Sequence, residues 1–364
     1  MMIRLAFCRE RGNICAEKCM RKSAARTRGE YTMIDLSRRH LLAGAAAAGA
    51  ATALTSFGAP SARAAVPPAG AQAPGFYRYK VGAYECTSIN DGVFLRPIDN
   101  FVRNVPKEQA QAAAEAAYMP KDMVAVPFNP QLTNTGSKLV LIDCGNGVGM
   151  LEPSKGRAGR TLQNLAAAGV DPKSIDMVLM SHLHPDHTNG IRAADGSMAF
   201  PNAEIMVPAK DWEFWMSDEN AAKAQSNEMM KNYFANVKKI YAGIESKVTK
   251  YEWGKEVAPG ITPIATPGHT PGHTSFAVAS GNSKVLIQSD VTNIPEFFLR
   301  NPDWHVMYDV DPMLAQATRH KFYDMASAEK AMVVGFHFTF PSIGHVEKDG
   351  SKYRLVPVAW NPVI

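Results

Sequence analysis

Short apolar runs alternate with amphipathic stretches along most of the chain. Apolar runs of strand length occupy residues 137–145 (SKLVLIDCG), 175–181 (IDMVLMS) and 283–290 (SKVLIQSD), and each leads into polar residues. The stretches 107–118 and 312–330 are instead typical of helices. Strands that precede and follow helices in this way predict a mixed α/β sandwich.

Further elements complete this pattern. The β-rich segment 76–93 contains a Gly82-Ala83 turn signal, which predicts a hairpin or meander. A helix is predicted at 209–217, followed by a long helical stretch between about 219 and 246. Because no linker interrupts 76–364, we expect these residues to form one domain.

The net charge of +5 belongs to the N-terminal part of the chain. Residues 1–64 contain 11 Lys and Arg against 4 Asp and Glu, whereas the remainder contains 28 against 30. The segment 65–75 (AVPPAGAQAPG) is a Pro/Gly/Ala linker without periodicity. The predicted domain is therefore slightly acidic, and we expect small-molecule substrates and no nucleic-acid partner.

An export signal is predicted before the linker. The arginine pair Arg38-Arg39 precedes an Ala-rich apolar run at 41–57, and the small-residue pattern at 62–64 provides a cleavage site. These features are typical of a twin-arginine signal peptide and predict a periplasmic or secreted protein. The alternative is an N-terminal anchor, but the run is short and Ala-rich for a spanning helix, so we expect no stable membrane insertion. Met33 starts a compact signal and is a candidate for the true initiator.

Cysteine usage places few constraints on the domain. Three of the five cysteines precede the signal, which leaves Cys86 and Cys144. Two cysteines are too few for a disulfide framework. A single bridge between them is compatible with an oxidising compartment, but no feature of the sequence requires it.

The motif SHLHPDH at 181–187 is the strongest chemical signal in the chain. His182 and His184 are two residues apart, so in extended backbone both rings face the same way. The proline that follows turns the chain and brings Asp186 and His187 towards the same point. Three imidazoles and a carboxylate suit Zn²⁺ and related first-row ions. A polar loop that caps a helix is the alternative interpretation.

Other candidate ligands also follow apolar strands. His269 comes after ITPIATPG, Asp290 after SKVLIQS and His337 after AMVVGF. Open α/β folds place their active groups at the carboxyl ends of strands, so these side chains are expected near one another.

This arrangement resembles the metallo-β-lactamase superfamily over about 76–364: HxHxDH, a GHT loop, a strand-terminal aspartate and a late histidine. The resemblance implies an αβ/βα four-layer sandwich, in which helices flank two mixed β-sheets, with two divalent ions at one edge. It assigns the first ion to His182, His184 and His269, the second to Asp186, His187 and His337, and makes Asp290 the bridge.

The same resemblance implies a hydrolase in which a hydroxide bridges the two ions and Asp186 accepts a proton. Zn²⁺ is the expected ion, with Mn, Co or Fe as alternatives. Asp143 is expected to brace the histidine loop without binding an ion. In the doubled TPGH motif, the first copy is expected to supply the ligand His269, whereas His273 supports it.

Three further segments, including FHFTFPSIGHV at 336–346, are similar to the methyl parathion hydrolase branch of the superfamily. That similarity implies activity on esters, lactones or phosphotriesters, and it favours Trp215 and Phe298 as substrate-pocket residues, with simple packing as the alternative. The sequence departs from the usual pattern of the superfamily at two positions. Ser289 precedes the bridging aspartate where glycine is usual, which crowds the turn. Asn293 lies where acyl-homoserine lactonases of the superfamily commonly carry a tyrosine.

Other functions remain alternatives. β-Lactamase or acyl-homoserine lactonase activity would use the same metal site. A di-iron redox protein uses this scaffold with a glutamate in the HxH loop and a flavin-type domain, and His184 argues against it. A non-catalytic metal-binding protein is the third alternative. A homodimer is left open as a further possibility.

Overall fold

The strands of the molecule form two mixed β-sheets and a separate two-stranded sheet. The computed structural model describes Val66 and residues 68–364. The expected signal peptide, with its arginine pair and the three N-terminal cysteines, lies outside the described residues. Residues Ala71–Ile364 form one compact unit.

The first sheet has seven strands in the order β1-β2-β5-β6-β7-β8-β9. Neighbours from β6 to β9 run parallel, whereas the β1-β2-β5-β6 part is antiparallel. The strands are β1 (Phe76–Val81), β2 (Tyr84–Ile89), β5 (Gln131–Asn134), β6 (Leu139–Ile142), β7 (Met177–Leu179), β8 (Glu204–Pro208) and β9 (Val248–Tyr251).

The second sheet has six strands in sequential order, and only the β12-β13 pair is parallel. Its strands are β10 (Ile261–Ala265), β11 (Thr274–Ser280), β12 (Ser283–Ser289), β13 (Met332–Gly335), β14 (Ile343–Asp349) and β15 (Lys352–Pro357). The remaining two strands, β3 (Gly92–Pro97) and β4 (Met123–Phe128), pair antiparallel in the two-stranded sheet.

Eight α-helices occur in the described part of the chain. They are α1 (Lys107–Ala116), α2 (Thr161–Ala167), α3 (Pro185–Thr188), α4 (Ala209–Met216), α5 (Asp218–Lys223), α6 (Glu228–Tyr241), α7 (Pro295–Phe298) and α8 (Pro312–Ala328). Single 3₁₀ turns occur at Val148–Met150, Pro172–Ser174, Asn189–Ile191 and Glu245–Lys247. None of the described helices is long and apolar enough to cross a membrane.

The alternation of side chains along the central strands explains the layers. In β12, Val285 and Ile287 belong to the core between the sheets, whereas Leu286 faces the opposite side and packs with α8. In β7, Leu179 likewise points into the inter-sheet core, and Val178 packs in the cluster that includes α4 and α6. Helices thus cover the outer face of each sheet, which gives the αβ/βα sandwich expected from the sequence.

Strand direction places the ends of both sheets at one edge. Strands β6, β7 and β8 are parallel, so their carboxyl ends coincide. In the second sheet, β10 and β12 are both antiparallel to β11, and β13 is parallel to β12. Consequently β10, β12 and β13 all end on the same side.

Two sequence predictions need comment here. The helical stretch expected between about 219 and 246 is split, because Asn227 caps a new helix by accepting a hydrogen bond from Met230 N. Cys86 and Cys144 are both buried free thiols, and they belong to different core clusters.

Candidate metal centre

The seven ligands predicted from the sequence all follow strand ends at this edge. His182, His184, Asp186 and His187 come after β7, and His269 lies in the loop after β10. Asp290 directly follows β12, and His337 is the second residue after β13. Because the carboxyl ends of these strands coincide, residues far apart in sequence come together.

The local structure of the HLHPDH loop follows from its sequence. His184 has extended backbone (φ −66°, ψ 155°), and Pro185 occupies the first turn of α3. Proline is favoured there because its fixed φ suits a helix start and its missing N–H is not needed. Asp186 and His187 are thereby placed in the helical turn that follows the two strand-end histidines.

The structure brings all seven side chains into one cluster. Three sets of ligand atoms lie within 4.8 Å of one another: His182, His184 and His269; His182, His187 and Asp290; and Asp186, His187 and His337. The first set is the group expected to hold the first ion. The third set is the group expected to hold the second.

Asp290 lies between the two groups. Its Oδ2 is 3.3 Å from His269 Nε2 and 2.9 Å from His337 Nε2, while its Oδ1 is 3.3 Å from His187 Nε2. One carboxylate thus faces ring nitrogens that belong to both predicted ion sites. This is the position that a bridging ligand requires.

The unpaired polar atoms of the cluster also indicate a site for divalent ions. Among the described residues, the Nε2 atoms of His182, His184 and His187 and Oδ1 of Asp290 are buried without a hydrogen-bond partner. Buried polar atoms are normally paired, and each unpaired one is costly. Metal coordination would satisfy all four atoms at once. Nitrogen and carboxylate donors of this kind suit Zn²⁺.

Burial and the carboxylates act in opposite directions on the histidine pKa values. Burial holds the pKa of His182 and of His184 well below the usual range, so both rings are neutral donors. Burial also lowers the pKa of His269, but the carboxylates of Asp290 and Asp309 outweigh this and raise that pKa to about 9. His187 responds in the same way, because Asp290 and other carboxylates surround it.

Outer contacts fix the orientation of the ligands. Asp143, at the end of β6, accepts hydrogen bonds from Ser181 N and Ser181 Oγ, and its Oδ2 lies 2.8 Å from His187 Nδ1. His337 Nδ1 donates to Pro127 O at 2.8 Å, and His269 Nδ1 lies 2.8 Å from Asp309 Oδ1. Each ring therefore presents its other nitrogen to the cluster.

Residues 132–337 match the family model of the metallo-β-lactamase superfamily, more than half of the chain. The chain belongs to this superfamily. Superfamily membership, the fold and the clustered donors together make it a metallo-hydrolase.

Several solved structures of the superfamily are similar to this chain. The hydrolase AbOPH is 29% identical, with a TM-score of 0.73 over 80% of this chain and 100% of its own. AidC, a dizinc quorum-quenching lactonase solved with the product N-hexanoyl-L-homoserine, is 25% identical, with a TM-score of 0.70 over 79% and 98%. A probable metal-dependent hydrolase from Staphylococcus aureus, 23% identical over 78% and 100% with a TM-score of 0.63, shares the fold. No curated protein sequence matches the chain.

A cavity of about 170 Å³ opens onto the cluster, and His184, Asp186, Asp290 and His337 form its floor. Aromatic side chains and one arginine dominate the walls. These wall residues are Phe94 and Arg96 from β3, Phe128 from β4, Tyr233 from α6, and Tyr308 from the loop before α8. An apolar cavity with a few convergent polar groups is the usual form of a small-molecule site.

The expected pocket residues Trp215 and Phe298 do not line this cavity. Trp215 is fully buried behind the site, where its ring lies 5.6 Å from that of His184 and its Nε1 donates to Asp211 Oδ2. Phe298 is fully buried in a separate core cluster, with the Arg319 guanidinium over its ring. Both large side chains pack in the interior, and the wall is built from other elements.

Ser289 has a strained backbone at the turn before Asp290. Its φ is 52°, in the left-handed region that glycine adopts without steric cost. The turn is retained in spite of this strain, because Asp290 N donates to His273 Nε2 at 3.0 Å. The ligand carboxylate is therefore held by both its backbone and its ring partners.

Two supporting carboxylates were missed by the sequence analysis. Asp309 pairs with His269 and lies 3.7 Å from Nη2 of the buried Arg319. Asp211 accepts hydrogen bonds from Leu183 N and from Gly272 N, so it joins the HLHPDH loop to the TPGH loop. Neither stands next to a motif. The helix AKDWEFWM also contains Lys210 and Glu213, so charge alone did not distinguish Asp211, and its spacing of four from Trp215 was the one available signal.

Proposed function

We propose that the protein is an exported, dinuclear, metal-dependent hydrolase of esters, lactones or phosphotriesters. The observation that supports this most directly is the cluster of seven convergent ligand side chains at the floor of an aromatic cavity. A non-catalytic metal store would not need such a cavity next to its ligands. A lactonase is the second candidate, because AidC is a lactonase of similar fold.

The two ions would be held by the groups already described. His182, His184 and His269 would bind the first and Asp186, His187 and His337 the second, with Asp290 between them. Zn²⁺ is the ion we expect, and Mn, Co or Fe accept the same donors. When bound, such a pair supplies a nucleophile at neutral pH and polarises the reacting oxygen of the substrate.

The protein side chains then have distinct tasks. Asp186 is the most accessible ligand of the cluster, with 21% of its side chain exposed, and its Oδ2 lies 3.6 Å from His337 Nε2. It faces the cavity and is placed to accept a proton there. Phe94, Phe128 and the tyrosines exclude water around the substrate, which strengthens the polar contacts.

The proposal also includes the location of the protein and the limits of its catalytic domain. The twin-arginine pattern at Arg38-Arg39 supports a periplasmic or secreted enzyme that is already folded when it leaves the cytoplasm. Residues 65–75 would then be a linker and 76–364 the catalytic domain. Fractionation of cells that express the Arg38→Lys, Arg39→Lys double variant tests this. Unchanged delivery to the periplasm would contradict twin-arginine export.

Similarity in segments such as 336–346 supports placement near the methyl parathion hydrolase branch. This placement predicts broad aryl-ester and phosphotriester turnover. It is tested by comparing p-nitrophenyl acetate, a γ-lactone and an aryl phosphotriester as substrates of one preparation. A strong preference for the lactone alone would favour the second candidate instead.

Metal analysis of the purified protein combined with turnover decides the main proposal. We expect about two ions per chain and hydrolysis of at least one substrate class. In Asp290→Ala the bridge is lost, so we expect both metal content and turnover to fall. The matched control is Asp349→Ala, at an exposed aspartate on β14. Bound metal without turnover of any ester, lactone or phosphotriester would favour a non-catalytic protein.

A further inference from the structure

A second groove adjoins the cavity at its β3 wall. It has a volume of about 470 Å³, and it shares Phe94, Arg96 and Met150 with the cavity. On its other side lie Ser154, Lys155 and Arg157 of the loop that follows the 3₁₀ turn. We call it the basic groove, defined by Arg96, Lys155 and Arg157.

The charges that line the basic groove have one sign. Arg96, Lys155 and Arg157 are all exposed, and none of them forms an ion pair within 4 Å in the part of the chain that the structure describes. No Asp or Glu lines the groove among the described residues. Glu152 lies on the same loop but outside the lining. Three cations in one concavity raise the local concentration of anions.

The backbone brings together the segments that carry these cations. Phe94 and Arg96 are two apart on β3 and therefore share a face, and the guanidinium carbon of Arg96 lies 4.8 Å from the Phe94 ring centroid. Val93 N donates to Arg157 O at 2.8 Å, so the loop is attached to the same strand. The basic groove is thus built on the wall of the cavity.

Arg96 stands at the junction of the two spaces. Burial raises the pKa of the Tyr308 phenol in the cavity wall, and the charge of Arg96 opposes that shift. Arg96 lines the cavity and also the groove, in which it is exposed. A substrate whose reacting bond lies at the cavity floor would contact Arg96 if the rest of the substrate extended into the groove.

We propose that the substrate carries an anionic group, a carboxylate or a phosphate, remote from the bond that is cleaved, and that this group binds the basic groove. Arginine is suited to this task because its planar fork pairs with both kinds of oxyanion. The inference rests on the proposed hydrolase function, and it specifies the substrate class for that site.

Two esters of equal chain length test the inference: p-nitrophenyl hexanoate and the mono-p-nitrophenyl ester of adipic acid, which adds a terminal carboxylate. The readout is the ratio of kcat/KM for the charged ester to that for the neutral one. In Arg96→Met we expect this ratio to fall about three- to tenfold. The Lys155→Met, Arg157→Met double variant should lower it too, and Arg96→Lys should recover part of it.

The matched control is Lys321→Met, an exposed lysine on α8 that lines neither space, which should leave the ratio unchanged. Since the cations are exposed, added salt should also reduce the preference. A ratio that is the same in the wild type, Arg96→Met and the double variant would overturn the inference.

Calorimetric binding of adipate and hexanoate to the metal-loaded protein separates this inference from the proposed function. Tighter binding of adipate that is lost in Arg96→Met supports the basic groove even if no ester is hydrolysed. Equal binding of both acids contradicts it, whether or not the neutral ester is turned over. Absence of turnover for both esters counts against the hydrolase proposal alone.

Discussion

The two copies of TPGH have identical sequences and different surroundings. In the first copy, His269 presents Nε2 to the cluster, 2.9 Å from His184 Nδ1, and its Nδ1 pairs with Asp309. In the second, His273 Nδ1 donates to Thr266 O, and its Nε2 accepts the hydrogen bond from Asp290 N. Both nitrogens of His273 are therefore occupied by protein.

This difference shows that position relative to the strands decides the role of each histidine. The first copy follows β10 at the edge where strand ends converge, whereas the second immediately precedes β11, which runs away from that edge. Burial lowers the pKa of His273 to about 3, so it is a neutral acceptor, whereas the carboxylates around His269 have the opposite effect.

The largest expected effect separates the two histidines directly. His269→Ala removes one of the three histidine nitrogens that we propose to hold the first ion, so we expect kcat/KM to fall about a thousandfold or more. Metal content, measured by plasma mass spectrometry, should fall at the same time. If only His273→Ala loses metal, the assignment of the two copies is reversed.

A smaller effect is expected for the second histidine. His273→Ala leaves the buried Asp290 N without its acceptor, which should lower activity about 10- to 100-fold at nearly unchanged metal content. His273→Gln offers a side-chain oxygen in its place and should recover part of the loss. Activity that is equal in the alanine and glutamine variants would argue against this hydrogen bond as the cause.

The third prediction concerns Asp309, the partner that His269 has and His273 lacks. Asp309→Asn weakens the orientation of the His269 ring, and it leaves the buried Arg319 without its carboxylate. We expect zinc affinity to fall about tenfold, measured by competition with a chelator. Asp303→Asn, an exposed residue of a neighbouring loop, is the control. An unchanged affinity would show that Asp309 is not needed to orient His269.

The smallest effect compares the glycines of the two copies. A Cβ at Gly268 would overlap Ala315 N, and one at Gly272 would overlap Asp211 N, but only Gly268 has a φ in the left-handed region, +129°. Both alanine variants should be less stable, and Gly268→Ala more so by about 1 kcal/mol. Urea unfolding of the two variants measures this difference. Equal stability would show that the backbone strain at Gly268 is relieved.

Much of the fold could be predicted because its central strands are buried on both faces. The runs that form β6, β7 and β12 are continuous and apolar, and such runs are recognised in a sequence as buried strands. The two-stranded sheet of β3 and β4 was missed, since β3 carries Arg96 and Pro97 and is stabilised by its partner strand more than by its own pattern. The break before α6 depended on a single capping asparagine.

The candidate site also has a part that could be predicted, the metal ligands, and a part that could not, the cavity wall. The predicted ligands lie in a compact motif or within four residues of a strand end, so topology brings them together. The cavity wall draws Phe94, Tyr233 and Tyr308 from three distant elements, and an aromatic residue looks the same in a sequence whether it lines a cavity or fills a core. Trp215 and Phe298 were expected in the wall and lie in the core for this reason.

Asp211 has a consequence for how the protein acquires its ions. It accepts hydrogen bonds from Leu183 N and Gly272 N, and so it holds the ligand loops of both sheets together without touching the cluster. Many small metal sites form only as the ion arrives. Here we expect the ligand loops to be in place before an ion arrives, so that ion binding requires no folding of these loops. The identity of the bound ion would then follow the supply in the compartment where loading takes place.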